Sequence, residues 1–208
     1  MISLLCPTRG RPKEFDRMVQ SFYSCTVHQA IEVVCMTDLK DPYLTKYNRN
    51  LMSIEVDQIG VGSVEMWNRL ASLATGEYLM MVNDDNIMNT YGWDEVFMAQ
   101  KPNDDIFVAW PNGQGAQCVN PIISRRLFKA LDYFIPRGFN WWYADTALHS
   151  LGAYMGRLVY MPNVTVLSTE HKEQVKGDIR VNQDISRFHE WKKIERKRDA
   201  ERVWALMS

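Results

Sequence analysis

The stretch GSVEMWNRLASLATGEYLMMVNDD, residues 62–85, combines a helix, a strand and an acidic segment in that order. Ser63 can cap a helix that has one apolar face, and Gly76 can end it. The run EYLMMV, residues 77–82, is compact and apolar, as expected of a buried strand. The stretch therefore predicts an α/β unit in which acidic residues directly follow a strand.

The same alternation of apolar runs and helical spacing continues on both sides of this stretch. Residues 2–6 and 31–36 are apolar runs, and apolar side chains recur at helical spacing after Pro12. Further on come a strand at 105–111, a helix behind Ser124, a short helix from Asp145 to about Tyr154, and two strands, LVYMP and VTVL. Strands that alternate with helices are typical of a sheet covered on both faces. We therefore expect one α/β domain with a mostly parallel central sheet flanked by helices.

The composition is that of a single globular domain. The chain has 208 residues, of which 46% are hydrophobic and 24% charged. The formal net charge of -1 argues against a global positive field for nucleic acid. The four cysteines form no CxxC pair, so we expect free thiols. No run of 18 apolar residues occurs, so we expect no membrane span and a cytoplasmic protein.

Polar segments follow three of the predicted strands. They are residues 7–11, 37–38 and 83–86. In parallel α/β sheets, ligands bind at the carboxyl ends of the strands. We therefore expect these segments to share one edge of the sheet and to form the functional site there.

The segment Asn83-Asp84-Asp85 is the strongest candidate for metal binding. A preceding strand would fix the two carboxylates at the sheet edge, where a divalent cation relieves their repulsion. The alternative is a simple turn, because Asp and Asn often follow strands and bond to nearby backbone.

The segment Pro7-Thr8-Arg9-Gly10-Arg11 can surround an anion. It offers backbone amides, a hydroxyl and two guanidinium groups between a strand and a helix. It lacks the GxGxxG and GxxxxGK[ST] spacings, so neither a dinucleotide fold nor a phosphate loop is indicated. A solvated turn with surface ion pairs is the alternative.

Two further residues have both a functional and an ordinary interpretation. His171, in STEHKE after the last predicted strand, can be a third metal ligand or an isolated surface histidine. Asp145 can be a carboxylate of raised basicity in a partly desolvated pocket, or a helix cap. The aromatic residues 141–143 before it can form a platform for a sugar or acceptor, or pack in the core.

Taken in order, these segments resemble a family 2 glycosyltransferase with the GT-A fold, over roughly Ile2 to His171. The likeness rests on the opening ISLLCPTRGRP, on Asp38, on residues 62–85 and on WWYAD. It implies that the nucleotide-sugar donor is bound by Pro7, Thr8, Arg9, Arg11, Asp38, Asn68 and Asp84. The sequence departs from the family pattern at Trp67, where arginine is frequent, and at Asn83, where the first acid of a DxD motif is usual.

The resemblance also implies a mechanism. Mn²⁺ (or Mg²⁺), held by Asp85 and His171, would bridge the diphosphate of a UDP- or GDP-sugar, and Asp145 would be the catalytic base of an inverting hexosyl- or pentosyltransferase. On this interpretation residues 1–185 form the catalytic domain, with 1–86 binding the nucleotide and 87–185 the acceptor, and 186–208 form a basic amphipathic helix.

Alternatives stay open at this point. A nucleotidyltransferase also combines an α/β sheet, a nucleotide and a carboxylate-bound metal, and Asn83 is compatible with a non-catalytic nucleotide-binding module. The Lys and Arg residues of 192–198 can approach a polyanionic acceptor such as modified DNA, but the interspersed acids favour a solvated helix.

Overall fold

A computed structural model describes residues 1–47, 53–57, 62–113, 118–169 and 179–207. Within these ranges eight strands form: β1 (Ile2–Pro7), β2 (Ile31–Asp38), β3 (Ser53–Asp57), β4 (Tyr78–Met81), β5 (Asn86–Met88), β6 (Val108–Asn112), β7 (Ile122–Ser124) and β8 (Leu158–Ser168). The α-helices are α1 (Pro12–Cys25), α2 (Ser63–Leu73), α3 (Trp93–Gln100), α4 (Arg125–Leu131), α5 (Ala144–Met155) and α6 (Ile179–Trp204).

The sheet is mixed, which corrects the expectation of a mostly parallel one. Its order is β3-β2-β1-β4-β7-β6-β8-β5. The first four strands run parallel, and β6 is parallel to β8, but β7 is antiparallel to β4 and β6, and β5 to β8. The reason lies in the connection from β6 to β7, residues 113–121, which is too short for the crossover that a parallel neighbour requires.

Helices cover both faces of the sheet, as expected for an α/β fold. Alternate residues of β1 enter different cores: Leu5 packs with residues of α2, α4, α5 and α6, whereas Leu4 packs with residues of α1 and α3. This alternation follows from the period of two along a strand. Burial on both faces explains why the strands of the chain are continuous apolar runs.

Most of the predicted elements are present. Ser124 caps α4 by accepting a hydrogen bond from the Leu127 amide, as predicted, but Gly62 rather than Ser63 is the N-cap of α2. The two predicted strands after α5 are one strand, β8, whose pairing with β6 shifts register after Pro111. The short elements β3, β5, β7 and α3 have no counterpart in the prediction, because runs of three to eight residues carry little periodicity.

The C-terminal helix is longer than predicted and belongs to the packed body. It begins at Ile179, ahead of the predicted start at Ser186, and it buries Trp191, Ala200 and Val203 in the core shared with α4 and α5. All four cysteines are free, as predicted. No helix in the described ranges is long and apolar enough to cross a membrane.

The strand directions bring the predicted polar segments to one edge of the sheet. β1, β2, β4 and β6 run the same way, so their carboxyl ends share an edge. α1 begins just after β1 ends there. α5 ends next to the start of β8, which is parallel to β6, so its first turn lies toward the same edge.

Candidate functional site

Asp84 joins the acidic segment after β4 to the loop after β1. Its Oδ2 accepts a hydrogen bond from Thr8 Oγ1 at 2.7 Å, and its Oδ1 accepts one from Arg11 Nη1 at 2.8 Å. The residue is only 7% exposed. Burial raises the pKa of Asp84, against the opposing effects of Thr8 and Arg11, and the neighbouring Asp85 raises it further. The two predicted polar segments therefore do form one cluster.

Asp85 is tied to the end of β8. Its Oδ2 accepts a hydrogen bond from Ser168 Oγ at 2.7 Å, and its carbonyl oxygen accepts bonds from the amide and the hydroxyl of Thr169, both at 3.1 Å. Thr169 is the last residue before a part of the chain that the structure does not describe. His171 lies outside the described residues, so its assignment as a metal ligand stays a prediction.

The predicted metal site is only partly covered by the described residues, because His171 lies outside them. Among them there is no group of three or more His, Cys, Asp or Glu side chains that could hold an ion. Both carboxylate oxygens of Asp84 already accept hydrogen bonds, so Asp85 is the better placed ligand. Burial is the main cause of the raised pKa of Asp84, and a divalent cation nearby would favour the charged form of that carboxylate.

Asp41 organises the loop after β1, a role that was not predicted from the sequence. Its Oδ2 accepts hydrogen bonds from the Gly10 amide at 2.7 Å, from Thr37 Oγ1 at 2.9 Å and from Tyr47 Oη at 2.8 Å. Gly10 has a φ of 72°, a conformation that favours glycine. Burial acts to raise the pKa of Asp41, but the bonds it accepts, first that from Gly10, lower it overall. Its Asx-type turn with the Tyr43 amide, at 2.8 Å, was the available signal.

Asp38 and Arg9 lie together at the ends of β2 and β1. Asp38 is 6% exposed, and its Oδ1 accepts a hydrogen bond from the Lys40 amide at 2.8 Å. Arg9 Nη1 is 3.7 Å from Asp38 Oδ2, and the Arg9 side chain is 63% exposed. Pro7 is the last residue of β1. Pro7, Arg9 and Asp38 thus lie at the expected edge, with Arg9 open to solvent.

Asn68 has a clear structural task. Its side chain accepts hydrogen bonds from the amides of Phe134 and Ile135, at 2.8 and 2.9 Å, and donates to the Ile135 carbonyl at 3.0 Å. The residue is 6% exposed. These bonds hold the loop after α4 against α2, and the predicted contact of Asn68 with a nucleotide sugar stays a prediction.

Asp145 lies in the first turn of α5 and is not its cap. The N-cap is Tyr143, with a left-handed φ of 62°. Burial raises the pKa of Asp145, while hydrogen bonds from Thr146 and the charge of His149 act in the opposite direction. Asp145 in turn raises the pKa of the buried Cys118 thiol, after the larger effect of burial. Asp145 is therefore a partly desolvated carboxylate with increased basicity.

Residues 118–120 lie beside the acidic segment. Asn120 Nδ2 donates to the Met81 carbonyl at 3.1 Å and to Asn86 Oδ1 at 2.6 Å, next to Asp85. Asn120 therefore joins the start of β7 to the end of β4 and to β5, beside the acidic segment. The charge of Asp145 raises the pKa of Cys118, which lies two residues before Asn120.

The three adjacent aromatics have different environments. Trp141 is 50% exposed, and its ring lies 5.9 Å from that of the buried Trp67, whose Nε1 donates to the Leu5 carbonyl of β1. Tyr143 packs at 5.6 Å against Phe188 of α6. Core packing therefore explains Tyr143, whereas Trp141 presents an indole to solvent at the site.

The basic residues of α6 are partly paired on a solvated surface. Lys197 is 3.7 Å from Glu201, and Arg198 is 3.6 Å from Glu195. Arg196 Nη1 donates to Ser150 Oγ of α5 at 3.0 Å. These contacts give no support to the expected approach to nucleic acid.

Comparison with solved structures identifies the fold as GT-A-like, that of nucleotide-sugar glycosyltransferases. The mannosyltransferase PcManGT from Pyrobaculum calidifontis, solved with GDP-Man and Mn²⁺, superposes with a TM-score of 0.69 at 11% identity over 98% of this chain and 73% of its own. S. aureus TarS superposes with a TM-score of 0.62 at 16% identity over 81% of this chain. Residues 1–349 of TarS, solved with UDP-GlcNAc, superpose with a TM-score of 0.60 at 16% identity over 83% of this chain and 59% of that chain.

The chain spans about a third of TarS, 36% of its length. No family model matches the sequence, and no curated protein does. At these identities the likeness establishes the fold and leaves the chemistry to be argued from the site.

Proposed function

We propose that this protein is a glycosyltransferase that moves a sugar from a nucleotide-sugar donor to an acceptor hydroxyl. The observation that carries the proposal is the cluster in which Asp84 bonds Thr8 and Arg11, next to Asp85 and on the same sheet edge as Asp145. Solved proteins of this fold include complexes with UDP-GlcNAc and with GDP-Man and Mn²⁺, which supports a nucleotide-sugar donor here.

The donor would lie across the ends of β1 and β2. Thr8, Arg11 and Asp84 form one side of this surface, and Arg9 and Asp38 form the other, after Pro7 ends the strand. The exposed guanidinium of Arg9 would meet the negative charge of a UDP- or GDP-sugar. Asp41 would keep the Gly10 amide in place, so that the loop is formed before the donor arrives.

Asp85 and His171 would hold Mn²⁺ (or Mg²⁺). When bound, such an ion supplies positive charge that stabilises a departing nucleotide diphosphate. Ser168 and Thr169 fix the Asp85 side chain and backbone, and only one residue separates Thr169 from His171 in the sequence.

Asp145 would be the catalytic base of an inverting transfer. The acceptor oxygen forms a bond to the anomeric carbon as the bond from that carbon to the diphosphate oxygen breaks, and the diphosphate leaves with the electron pair. The acceptor proton passes to the Asp145 carboxylate, whose raised pKa makes it a better base than an exposed aspartate. A hexosyl or pentosyl group would be transferred in this way by residues 1–185, with the donor held by 1–86 and the acceptor by 87–185.

A screen of donors tests the proposal. The purified chain is mixed with UDP-, GDP-, ADP-, CMP- and dTDP-sugars, with and without Mn²⁺, and both the melting temperature and the release of free nucleotide are followed. We expect one donor to raise the melting temperature in a metal-dependent way, since a ligand at a hundred times its Kd stabilises the native state by about 2.7 kcal/mol. Slow nucleotide release should accompany the shift.

Other outcomes point to the alternatives. Stabilisation without turnover, even with acceptors present, would indicate a non-catalytic nucleotide-binding module. Release of pyrophosphate from a nucleoside triphosphate would indicate a nucleotidyltransferase. The absence of a shift with every donor would contradict the proposal.

A further inference from the structure

A carboxylate of α6 holds the segment that precedes Asp145. Asp184 is fully buried. Its Oδ1 accepts hydrogen bonds from the Asn140 amide at 2.7 Å and from Asn140 Nδ2 at 3.0 Å, and its Oδ2 accepts bonds from the amides of Trp141 at 2.9 Å and Trp142 at 2.8 Å. A buried carboxylate needs such donors, because burying an unsatisfied charge is costly. The bonds therefore fix three consecutive backbone positions.

The fixed segment presents an exposed indole. Trp141 is 50% exposed although its amide is bonded to Asp184. Its ring is supported by Trp67, at 5.9 Å, and Trp67 is itself 4% exposed and bonded to β1 through Leu5. An indole held in this way loses little conformational entropy when a ligand stacks on it. The apolar face of a sugar ring is a suitable partner for such a surface.

The position of Trp141 favours the acceptor over the donor. It lies four residues before Asp145, the base proposed for the acceptor hydroxyl, and it is joined to α5 through Tyr143, the N-cap of that helix. The donor surface is formed instead by Thr8, Arg11 and Asp84.

We propose that Asp184 is a positioning residue that holds Trp141 as a stacking surface for the sugar ring of a carbohydrate acceptor. The inference rests on the proposed glycosyl transfer, for which it names the class of acceptor. It also gives α6 a part in the acceptor site, through a side chain that does not touch the substrate itself.

The chain contains a matched control for Asp184. Asp94 of α3 is also fully buried, and it accepts hydrogen bonds from the amides of Val27 at 3.0 Å, His28 at 2.7 Å and Gln29 at 2.8 Å. Those residues connect α1 to the start of β2, at the edge opposite the candidate site. Asp94→Asn removes the same kind of carboxylate without touching the acceptor segment.

The experiment compares four variants of the full chain: Asp184→Asn, Trp141→Ala, Trp141→Phe and Asp94→Asn. A panel of methyl glycosides serves as acceptors and as ligands in a tryptophan-fluorescence titration, in which Trp141→Phe identifies the signal of that indole. We expect Asp184→Asn and Trp141→Ala each to raise the KM and the Kd for the glycoside about tenfold, since small displacements of positioning groups have large effects. Asp94→Asn should leave both constants unchanged while lowering the melting temperature.

The outcomes separate this inference from the proposed function. Transfer with a glycoside KM that is the same for Asp184→Asn and Asp94→Asn would overturn the inference and leave glycosyl transfer standing. A second outcome is that the chain binds the glycoside, and binds it more weakly as Asp184→Asn, but turns over no donor. That result would refute the proposed glycosyl transfer and would support a sugar-binding surface at Trp141. If Asp184→Asn does not fold, Trp141→Ala decides alone, because the Trp141 ring is half exposed. An unchanged KM and Kd in that variant, or no glycoside binding to the wild type, would overturn the inference.

Discussion

The proposed donor side and the proposed acceptor side of the candidate site are built by different means. On the donor side, Thr8, Arg11 and Asp84 lie just beyond the ends of β1 and β4, and they bond one another directly. On the acceptor side, the segment before Asp145 is held by Asp184, which is 44 residues from Asn140 in sequence. The ends of strands can be predicted from the sequence, and they indicate the edge of the sheet where a ligand binds. A loop that is held by a carboxylate far away in the chain cannot be predicted from its own residues.

Asp145→Asn should have the largest effect and tests the acceptor side. Removing a general base costs roughly 10²- to 10⁴-fold in rate, so kcat for transfer should fall by that order while donor binding is retained. The measurement is the rate of product formation beside a thermal-shift titration of the donor. Turnover near the wild-type rate would remove Asp145 from the mechanism.

Asp85→Asn tests the donor side with the next largest effect. The variant should lose Mn²⁺-dependent stabilisation by the donor, and turnover should fall by about 10²- to 10³-fold, the range seen when one charge-stabilising group is removed. Asp105→Asn serves as the control, because Asp105 pairs with Lys101 at 2.8 Å after α3. A Mn²⁺ response equal to that of the wild type would exclude Asp85 as a ligand.

Asp41→Asn should weaken the donor loop and leave the acceptor side intact. An amide in place of the carboxylate cannot accept both from Tyr43 and from the other donors around it, so we expect a loss of about 1–3 kcal/mol in the free energy of unfolding and weaker donor binding. Denaturant unfolding and donor titration measure the two effects. A glycoside KM raised as strongly as in Asp184→Asn would show that the two sides are not separable.

His149→Gln should give the smallest effect, a shift in the pH profile. Burial raises the pKa of Asp145, and the base acts only when deprotonated, so kcat/KM should fall as the pH drops through a value above the usual aspartate range. The charge of His149 lowers that pKa, and among the described residues the Cys118 thiol is a further titratable group on which Asp145 acts. Replacing His149 should therefore move the acid limb to higher pH. A shift to lower pH would contradict the assignment of that limb to Asp145.

The sequence predicted the donor side better than the acceptor side. The apolar runs of β1, β2 and β4 and the polar residues that follow them placed Thr8, Arg11 and Asp84 on one edge. The sequence could not show that β7 runs antiparallel, because the pattern of a three-residue strand does not indicate the direction of the strand.

The contributions of buried carboxylates were also beyond the sequence. Asp41, Asp94 and Asp184 each bond backbone amides of a loop that is remote in the chain. An aspartate inside a helical pattern is indistinguishable from a surface residue until its partners are known. The core contacts of Asn68 were likewise not foreseen, and its predicted contact with a nucleotide sugar stays a prediction.

The most direct test of the account is a crystal structure of the chain with Mn²⁺ and the nucleotide that stabilises it, with the ion located by anomalous scattering. We expect Mn²⁺ within about 2.6 Å of a carboxylate oxygen of Asp85, with His171 as a further ligand and the nucleotide against Thr8 and Arg11. An ion or nucleotide bound away from the carboxyl ends of β1 and β4 would contradict it.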